Sequence, residues 1–150
     1  MEKTVALYLR VSTKHQDTPE GSLISQEQRL IEWYDYHNSQ AKHSKEKDPY
    51  SNYVIYKDVE TGTKASKRPS YNRMLADIKM GKIHTVAAAS ISRLNRNLRE
   101  FYELYDITQQ HNVDIFSQKE SFDTSTAIGR AILKFMLVFY ELESEQTSER

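Results

Sequence analysis

The sequence predicts an α/β fold, a mostly parallel open sheet with helices on both faces, followed by a long C-terminal helix. Short apolar segments rich in strand formers alternate with segments whose apolar residues recur at helical spacing. Strands that alternate with helices pair in parallel, because parallel strands need crossover connections. The 150 residues contain no repeat and no sign of a second domain, so we expect one domain.

The first half of the chain provides two strands and one helix. Thr4–Leu9 is an apolar, strand-forming run, and Ser22 is a suitable cap for the helix that follows. The segment from Gln40 to Pro49 is charged, which predicts a mobile loop before a second strand, Tyr53–Lys57. The helical spacing of the first helix places four apolar residues on one face: Leu23, Leu30, Ile31 and Tyr34.

The second half continues the alternation. Pro69 is typical of a first helical turn, and Gly81 of a helix end. The elements predicted here are a helix from Pro69 with Met74, Leu75 and Ile78 on one face, a buried strand Thr85–Ala89, a helix from about Asn97 to Gln110, a strand near Val113–Phe116 and a long helix from about Thr126.

Composition excludes several classes of function. The chain has no cysteine, its four glycines fit no nucleotide-binding motif, and its histidines form no H-E-x-x-H pair, so we expect no metal and no cofactor. No apolar run is long enough to span a membrane and no signal peptide opens the chain, so we expect a soluble, cytoplasmic protein without a membrane partner. The net charge is zero, but residues 57–99 hold ten basic and three acidic residues, which favours docking of a polyanion.

The ends of the predicted strands carry the candidate site, because ligands of open parallel sheets bind beyond the carboxyl ends of the strands. Arginine forks hold phosphate oxygens in a bidentate manner and stay charged, and a serine hydroxyl beside them can attack phosphorus. The candidate residues are Arg10, Ser12 and Gln16 after the first strand, Asp58, Gly62 and Arg68 after the second, and Ser92, Arg93 and Arg96 after the third.

Each of these residues also has a plainer interpretation. Ser12 suits a turn or a helix cap, and Arg10 suits an ion pair with a neighbouring carboxylate. Arg93, Arg96 and Arg99 have the spacing of one solvated helix face. The convergence of three loops favours the phosphate site. The same loops lack the clustered carboxylates that a metal-dependent phosphatase or a phospho-receiver domain needs.

The ordered motifs resemble the catalytic domain of serine site-specific recombinases, the resolvase and invertase family. The resemblance covers essentially the whole chain, and the longer spacing between Gln16 and Ser22 together with Arg68-Pro69 resembles the large members, which include phage integrases. The motifs that carry it are Tyr8-Leu-Arg10-Val-Ser12-Thr13-x-x-Gln16, Ser22-Leu-x-x-Gln26, Asp58-x-x-Thr-Gly62, Ser92-Arg93-Leu-x-Arg96-Asn97, and Asp123-Thr-Ser-Thr126 with Gly129.

The resemblance implies a reaction and a role for each site residue. Ser12 would attack a DNA phosphate and form a 5′-phosphoserine link, with no metal and no nucleotide triphosphate. Arg10, Arg68, Arg93 and Arg96 would hold the phosphate, Gln16 and Gln26 would position the serine loop, and Asp58 would order an arginine or a loop. Two positions depart from the family: Ser92 stands where many relatives carry Asp, and Glu143-Ser144 where Glu-Arg is common.

The same resemblance implies double-stranded DNA as a partner and a homodimer that assembles into a tetramer on DNA. Residues 1–150 would form the catalytic domain, and about 125–150 the start of a long interface helix leading to a DNA-binding region outside this chain. An apolar stripe on that helix favours the interface: Ile128, Ala131, Ile132, Phe135, Met136, Phe139 and Leu142. The alternatives are a catalytically silent DNA-bound or dimerising module of the same fold, and a phosphate-ester enzyme acting on a small molecule.

Overall fold

A computed structural model describes residues 2–12, 22–60 and 67–148. The elements in chain order are β1 (Thr4–Ser12), α1 (Leu23–Ala41), β2 (Asn52–Glu60), α2 (Pro69–Lys79), β3 (Thr85–Ala88), α3 (Ile91–Leu94), α4 (Leu98–Gln110), β4 (Asp114–Ser117), β5 (Phe122–Asp123) and α5 (Ala127–Ser148). Every strand and helix predicted above is present, within a few residues of its predicted bounds. The short helix α3 and the two-residue strand β5 were not predicted.

The sheet has the strand order β2-β1-β3-β4-β5. β1 pairs in parallel with both β2 and β3, β3 pairs in parallel with β4, and β5 is antiparallel to β4. The predicted mostly parallel sheet is therefore confirmed. β2 lies on one side of β1 and β3 lies on the other, so the strand order reverses between β1 and β3. Open sheets of this kind bind their ligands at such a position.

Alternating residues of β1 divide the core into two layers. Val5, Leu7 and Leu9 pack against Leu30 and Tyr34 of α1 on one face of the sheet. Ala6 and Tyr8 belong to the larger cluster on the other face, which takes its remaining buried residues from strands β2 to β5, from helices α2 to α5, and from Ile83 and Val113 just before β3 and β4. Because side chains alternate along a strand, Arg10 continues the register of Tyr8 and lies on the face of α2 and α4.

Local sequence signals set the helix ends. The Ser22 hydroxyl accepts the Ser25 amide at 3.0 Å, Asn97 Oδ1 accepts the Glu100 amide at 2.9 Å, and Pro69 occupies the first turn of α2. After α2 the chain reverses at Gly81, whose φ of 75° suits a residue without a Cβ. The cap predicted at Ser22 and the helix start predicted at Pro69 are thus confirmed.

Within the described part of the chain, helix α5 packs against its own domain along one side. Leu133 is buried, and Met136 and Tyr140 pack against the same cluster. Gly129 permits this approach, because a Cβ there would lie 1.8 Å from the carbonyl oxygen of Asp123. The remaining side of α5 exposes most of the predicted apolar stripe, with Phe135 69% and Phe139 63% exposed. None of the described helices is long and apolar enough to cross a membrane.

Candidate active site

The candidate site lies at the carboxyl end of β1, where β2 and the α3 segment flank it. Arg10 and Ser12 belong to the last residues of β1 itself, and Asp58 lies within β2, so these residues end the strands rather than follow them. In the parallel pairing of β1 with β2, Arg10 lies opposite Asp58 and Ser12 opposite Glu60. The α3 segment after β3 crosses this end of the sheet and brings Arg93 beside β1.

Arg10 ties the end of β1 to the α3 segment. Its Nε donates to the carbonyl oxygen of Arg93 at 3.1 Å, and its Nη2 donates to the carbonyl oxygen of Ser92. Its Nη1 forms an ion pair with Glu60 Oε2 at 3.0 Å. The plainer interpretation of Arg10, an ion pair with a carboxylate, is therefore realised inside the site.

Glu60 joins two of the candidate arginines. Its Oε2 faces Arg10, while its Oε1 accepts from Arg96 Nε at 3.3 Å and Arg96 Nη2 at 3.1 Å. The side chain is buried and lies in the last position of β2. Sequence reasoning missed this residue, because its position opposite Ser12 follows from the pairing of β1 with β2.

Arg93 is the candidate arginine with the least engagement. Its Nη1 donates to the carbonyl oxygen of Arg10 at 3.4 Å, and among the described residues no carboxylate forms an ion pair with it. Burial lowers the pKa of the Arg93 guanidinium, and the positive charges of Arg10 and Arg29 lower it further. An arginine surrounded by cations favours the approach of an anion.

Arg68 braces the far side of the α3 segment. Its Nη1 donates to the carbonyl oxygen of Leu94 at 3.2 Å, and its Nη2 pairs with Glu100. Its guanidinium lies over the Tyr71 ring, 4.0 Å from the centroid. Arg68 is buried, so it supports the segment that carries Arg93 and Arg96.

The arginines after β3 do not share one helix face. Arg93 lies in α3, Arg96 lies between α3 and α4, and Arg99 lies in α4. Arg99 forms an exposed pair with Glu103, at 3.5 Å, within α4. The alternative of one solvated face is therefore wrong, because Asn95 and Asn97 adopt extended backbone and break the helix between them.

Gln26 and Asp58 both form hydrogen bonds that hold backbone groups in place. Gln26 Nε2 donates to the carbonyl oxygen of Arg10 at 3.1 Å, and Gln26 Oε1 accepts the Arg10 amide at 3.3 Å. Asp58 accepts the Tyr8 hydroxyl at 2.8 Å and the amides of Ser70 and Tyr71 at 3.0 and 2.9 Å. Asp58 thus orders the first turn of α2, and among the described residues no arginine contacts its side chain.

The remaining candidates are Gln16, Gly62, Ser12 and Ser92. Gln16 and Gly62 lie outside the described residues, and Ser12 is described by its backbone. Ser92 is exposed, and its hydroxyl hydrogen-bonds the Ser90 hydroxyl at 3.0 Å. The structure therefore brings Arg10, Arg93 and Arg96 together beside the backbone of Ser12, with Arg68 behind α3.

Comparison with known families identifies the family to which this fold belongs. Residues 5–150 match the family described as "Resolvase, N terminal domain". The chain belongs to the resolvase N-terminal domain family. The resemblance inferred from the motifs around Arg10, Ser12 and Arg93 is thereby confirmed, as is the fold class.

Individual members of the resolvase family agree with this assignment. The chain is 30% identical over 97 residues to a DNA-invertase of Escherichia phage P1 and 27% identical over 96 residues to the transposon Tn917 resolvase of Enterococcus faecalis. These matches cover 65% and 64% of the chain and 50% of each relative. The chain thus spans about half the length of the curated relatives it matches.

Solved structures match over nearly the whole chain. The N-terminal catalytic domain of TP901-1 integrase has 27% identity and a TM-score of 0.72, covering 97% of this chain and 99% of that one. A resolvase family site-specific recombinase from Streptococcus pneumoniae has the same fold, with 23% identity and a TM-score of 0.69, covering 98% and 91% of the two chains.

The contacts of Asp58 in this resolvase-family site lead to a prediction about stability. Asparagine has one acceptor oxygen where aspartate has two. Its NH2 group would face one or more of these N–H and O–H donors, which would then lose their hydrogen-bond acceptor. We expect Asp58→Asn to lower the free energy of unfolding by about 2 kcal/mol, measured by urea denaturation. Asp77→Asn is the matched control. Asp77 accepts the Tyr56 hydroxyl at 2.6 Å and is less buried than Asp58, so we expect this change to lower the free energy of unfolding by about 1 kcal/mol. Equal stability of Asp58→Asn and the unaltered chain would contradict the capping role.

Proposed function

We propose that this chain is the catalytic domain of a serine recombinase that cleaves, exchanges and rejoins DNA strands at specific sites. The observation that carries the proposal is the convergence of Arg10, Arg93 and Arg96 at the end of the strand that presents Ser12. Membership of the resolvase family and likeness to the TP901-1 integrase catalytic domain support it. The longer spacing between Gln16 and Ser22 favours the large, integrase-like members.

The proposed reaction is a phosphoryl transfer between hydroxyl groups. Ser12 Oγ forms a bond to a backbone phosphorus of DNA as its proton leaves, and the bond from phosphorus to the 3′ oxygen breaks. The 3′ oxygen takes up a proton, which leaves a 5′-phosphoserine link and a free 3′ hydroxyl. Attack by a 3′ hydroxyl on that link reverses both bonds and releases Ser12.

Arginine side chains provide the electrostatic part of this reaction. Charge builds up on the phosphoryl oxygens in the transition state, and fixed guanidinium groups stabilise it without reorganising. Arg93 is the readiest phosphate ligand, because it has no ion pair among the described residues. Arg10 and Arg96 are bound to Glu60, and Arg68 to Glu100, so in the DNA-free chain these three are held by acidic side chains.

The proposed reaction needs neither a metal ion nor a nucleotide triphosphate, because the phosphoserine link conserves the energy of the phosphodiester. Among residues 2–12, 22–60 and 67–148, no group of three or more His, Asp and Glu side chains could hold a metal. Double-stranded DNA is the proposed substrate and the cytoplasm the proposed location. A separate region following α5 is proposed to supply sequence-specific DNA binding.

Ser12→Ala tests the reaction directly. The variant should bind DNA but form no covalent adduct, because it lacks the attacking oxygen. The measurement is a denaturing gel of the longer protein that carries this chain, incubated with DNA bearing its candidate recombination site, to look for protein-linked 5′ ends. Ser92→Ala is the control, since it removes another hydroxyl at a strand end and should still form adduct. Adduct from Ser12→Ala would overturn the assignment and leave room for a different nucleophile.

Arg93→Lys tests the phosphate clamp. Lysine keeps the positive charge but lacks the planar fork, so we expect the rate of adduct formation to fall by about a hundredfold, with a much smaller change in DNA affinity. The measurement is single-turnover cleavage alongside fluorescence anisotropy. Arg99→Lys, in the exposed pair with Glu103, serves as the control and should cleave at the original rate. Unchanged cleavage by Arg93→Lys would show that Arg93 is a solvated cation.

The exposed apolar side of α5 is proposed as the dimer interface. Isolated chains should associate at least as dimers, and two dimers should form a tetramer on DNA. Replacing Phe135 and Phe139 by Glu should give a folded monomer in sedimentation experiments at concentrations where the unaltered chain is dimeric, because both rings are largely exposed within the chain. Ile24→Glu, an exposed apolar residue on α1, is the control and should remain dimeric. A monomeric unaltered chain would contradict the interface.

A further inference from the structure

Glu60 occupies the centre of the arginine cluster, and the proposed reaction gives it no role. It lies at the end of β2, opposite Ser12 in the strand register, and its side chain is 9% exposed. Each of its carboxylate oxygens contacts a different arginine: Oε2 contacts Arg10 and Oε1 contacts Arg96. The two arginines come from β1 and from the loop after α3, so Glu60 links separate parts of the site.

The two arginines are bound with unequal firmness. Arg10 is 13% exposed and also donates to the carbonyl oxygens of Ser92 and Arg93, so it keeps partners if Glu60 withdraws. Arg96 is 29% exposed, and within the described part of the chain Glu60 is the only partner of its guanidinium group. A carboxylate and a phosphate compete for the same guanidinium group, because each is an anion whose oxygens can accept two N–H donors at once.

We propose that Glu60 is a positioning residue that holds the Arg96 guanidinium group beside Arg10 until DNA docks, and then yields Arg96 to the DNA phosphate. This inference rests on the proposed function. Before docking, the carboxylate offsets the repulsion between the two cations and fixes their orientation. On docking, the phosphate replaces it as the anion that contacts Arg96, while Glu60 keeps Arg10.

Such a role has opposite effects on DNA affinity and on rate. Glu60→Gln preserves the size of the side chain but removes the competing charge, so DNA binds more tightly. The same change weakens the ion pair that still orients Arg10 when DNA is bound, so the bound phosphate reacts more slowly. A residue that only maintains the fold would not raise affinity while lowering rate.

The binding measurement uses this chain and a fluorescein-labelled DNA duplex of about 20 base pairs in low salt, where phosphate contacts are strongest. We expect Glu60→Gln to lower the Kd by about fivefold, because phosphate no longer displaces a charged competitor. In an Arg96→Gln background the gain should disappear, because the shared partner is gone. Glu60→Asp restores the charge and should return the Kd to its original value.

Glu103→Gln is the matched control for net charge. It also removes one carboxylate from an arginine pair, but that pair is exposed on α4. We expect its Kd to change by less than about twofold, since exposed pairs contribute little. The rate measurement is single-turnover adduct formation at saturating DNA, where Glu60→Gln should be about tenfold slower and Glu103→Gln unchanged.

Several results would overturn the inference: an unchanged or weaker DNA affinity of Glu60→Gln, a gain in affinity that persists without Arg96, an unchanged rate, or no DNA binding by any variant.

If Glu60→Gln does not fold, the NMR resonance of Arg96 Nε–H in the unaltered chain tests the inference instead. It must shift as DNA is added, and a constant resonance at saturation overturns the inference. Absence of adduct from the unaltered protein would instead overturn the proposed function, and the affinity and NMR measurements would still judge Glu60.

Discussion

The arrangement of the site depends on the carbonyl oxygens of α3 that have no hydrogen-bond donor within the helix. A helix of a single turn leaves its last carbonyls without intrahelical partners, and here side chains from other elements supply the donors. Arg10 donates to Ser92 and Arg93, and Arg68 donates to Leu94. Because a guanidinium group has five N–H donors, each arginine can hold this backbone and still contact an acidic side chain.

The contacts of these arginines with acidic side chains reduce the electrostatic repulsion within the site. Four arginines gathered around one short segment repel one another, and burial strengthens that repulsion. Glu60 offsets Arg10 and Arg96, while Glu100 pairs with Arg68 and also accepts the Arg96 amide at 3.4 Å. Among the described residues, these two carboxylates pair with Arg10, Arg68 and Arg96 and leave Arg93 without an ion pair, which is compatible with both a stable DNA-free fold and an anionic ligand.

Much of this arrangement could be predicted from the sequence, because it rests on local signals. The alternation of apolar segments, the Ser22 cap and Pro69 determine the order of elements, and the strand ends indicate Arg10, Arg93 and Arg96. Glu60 could not be found in this way, since its importance arises from the pairing of β1 with β2, which no local pattern encodes. Strand β5 consists of two residues, too few to show a periodicity.

The double hydrogen bond between Gln26 and the backbone of Arg10 has a further consequence for the evolution of such chains. It fastens the start of α1 to the end of β1, so both ends of the nine-residue connection 13–21 have fixed positions. Position 26 is therefore constrained to a side chain that both donates and accepts a hydrogen bond, whereas the exposed positions of α1 can vary without moving the strand that bears Ser12.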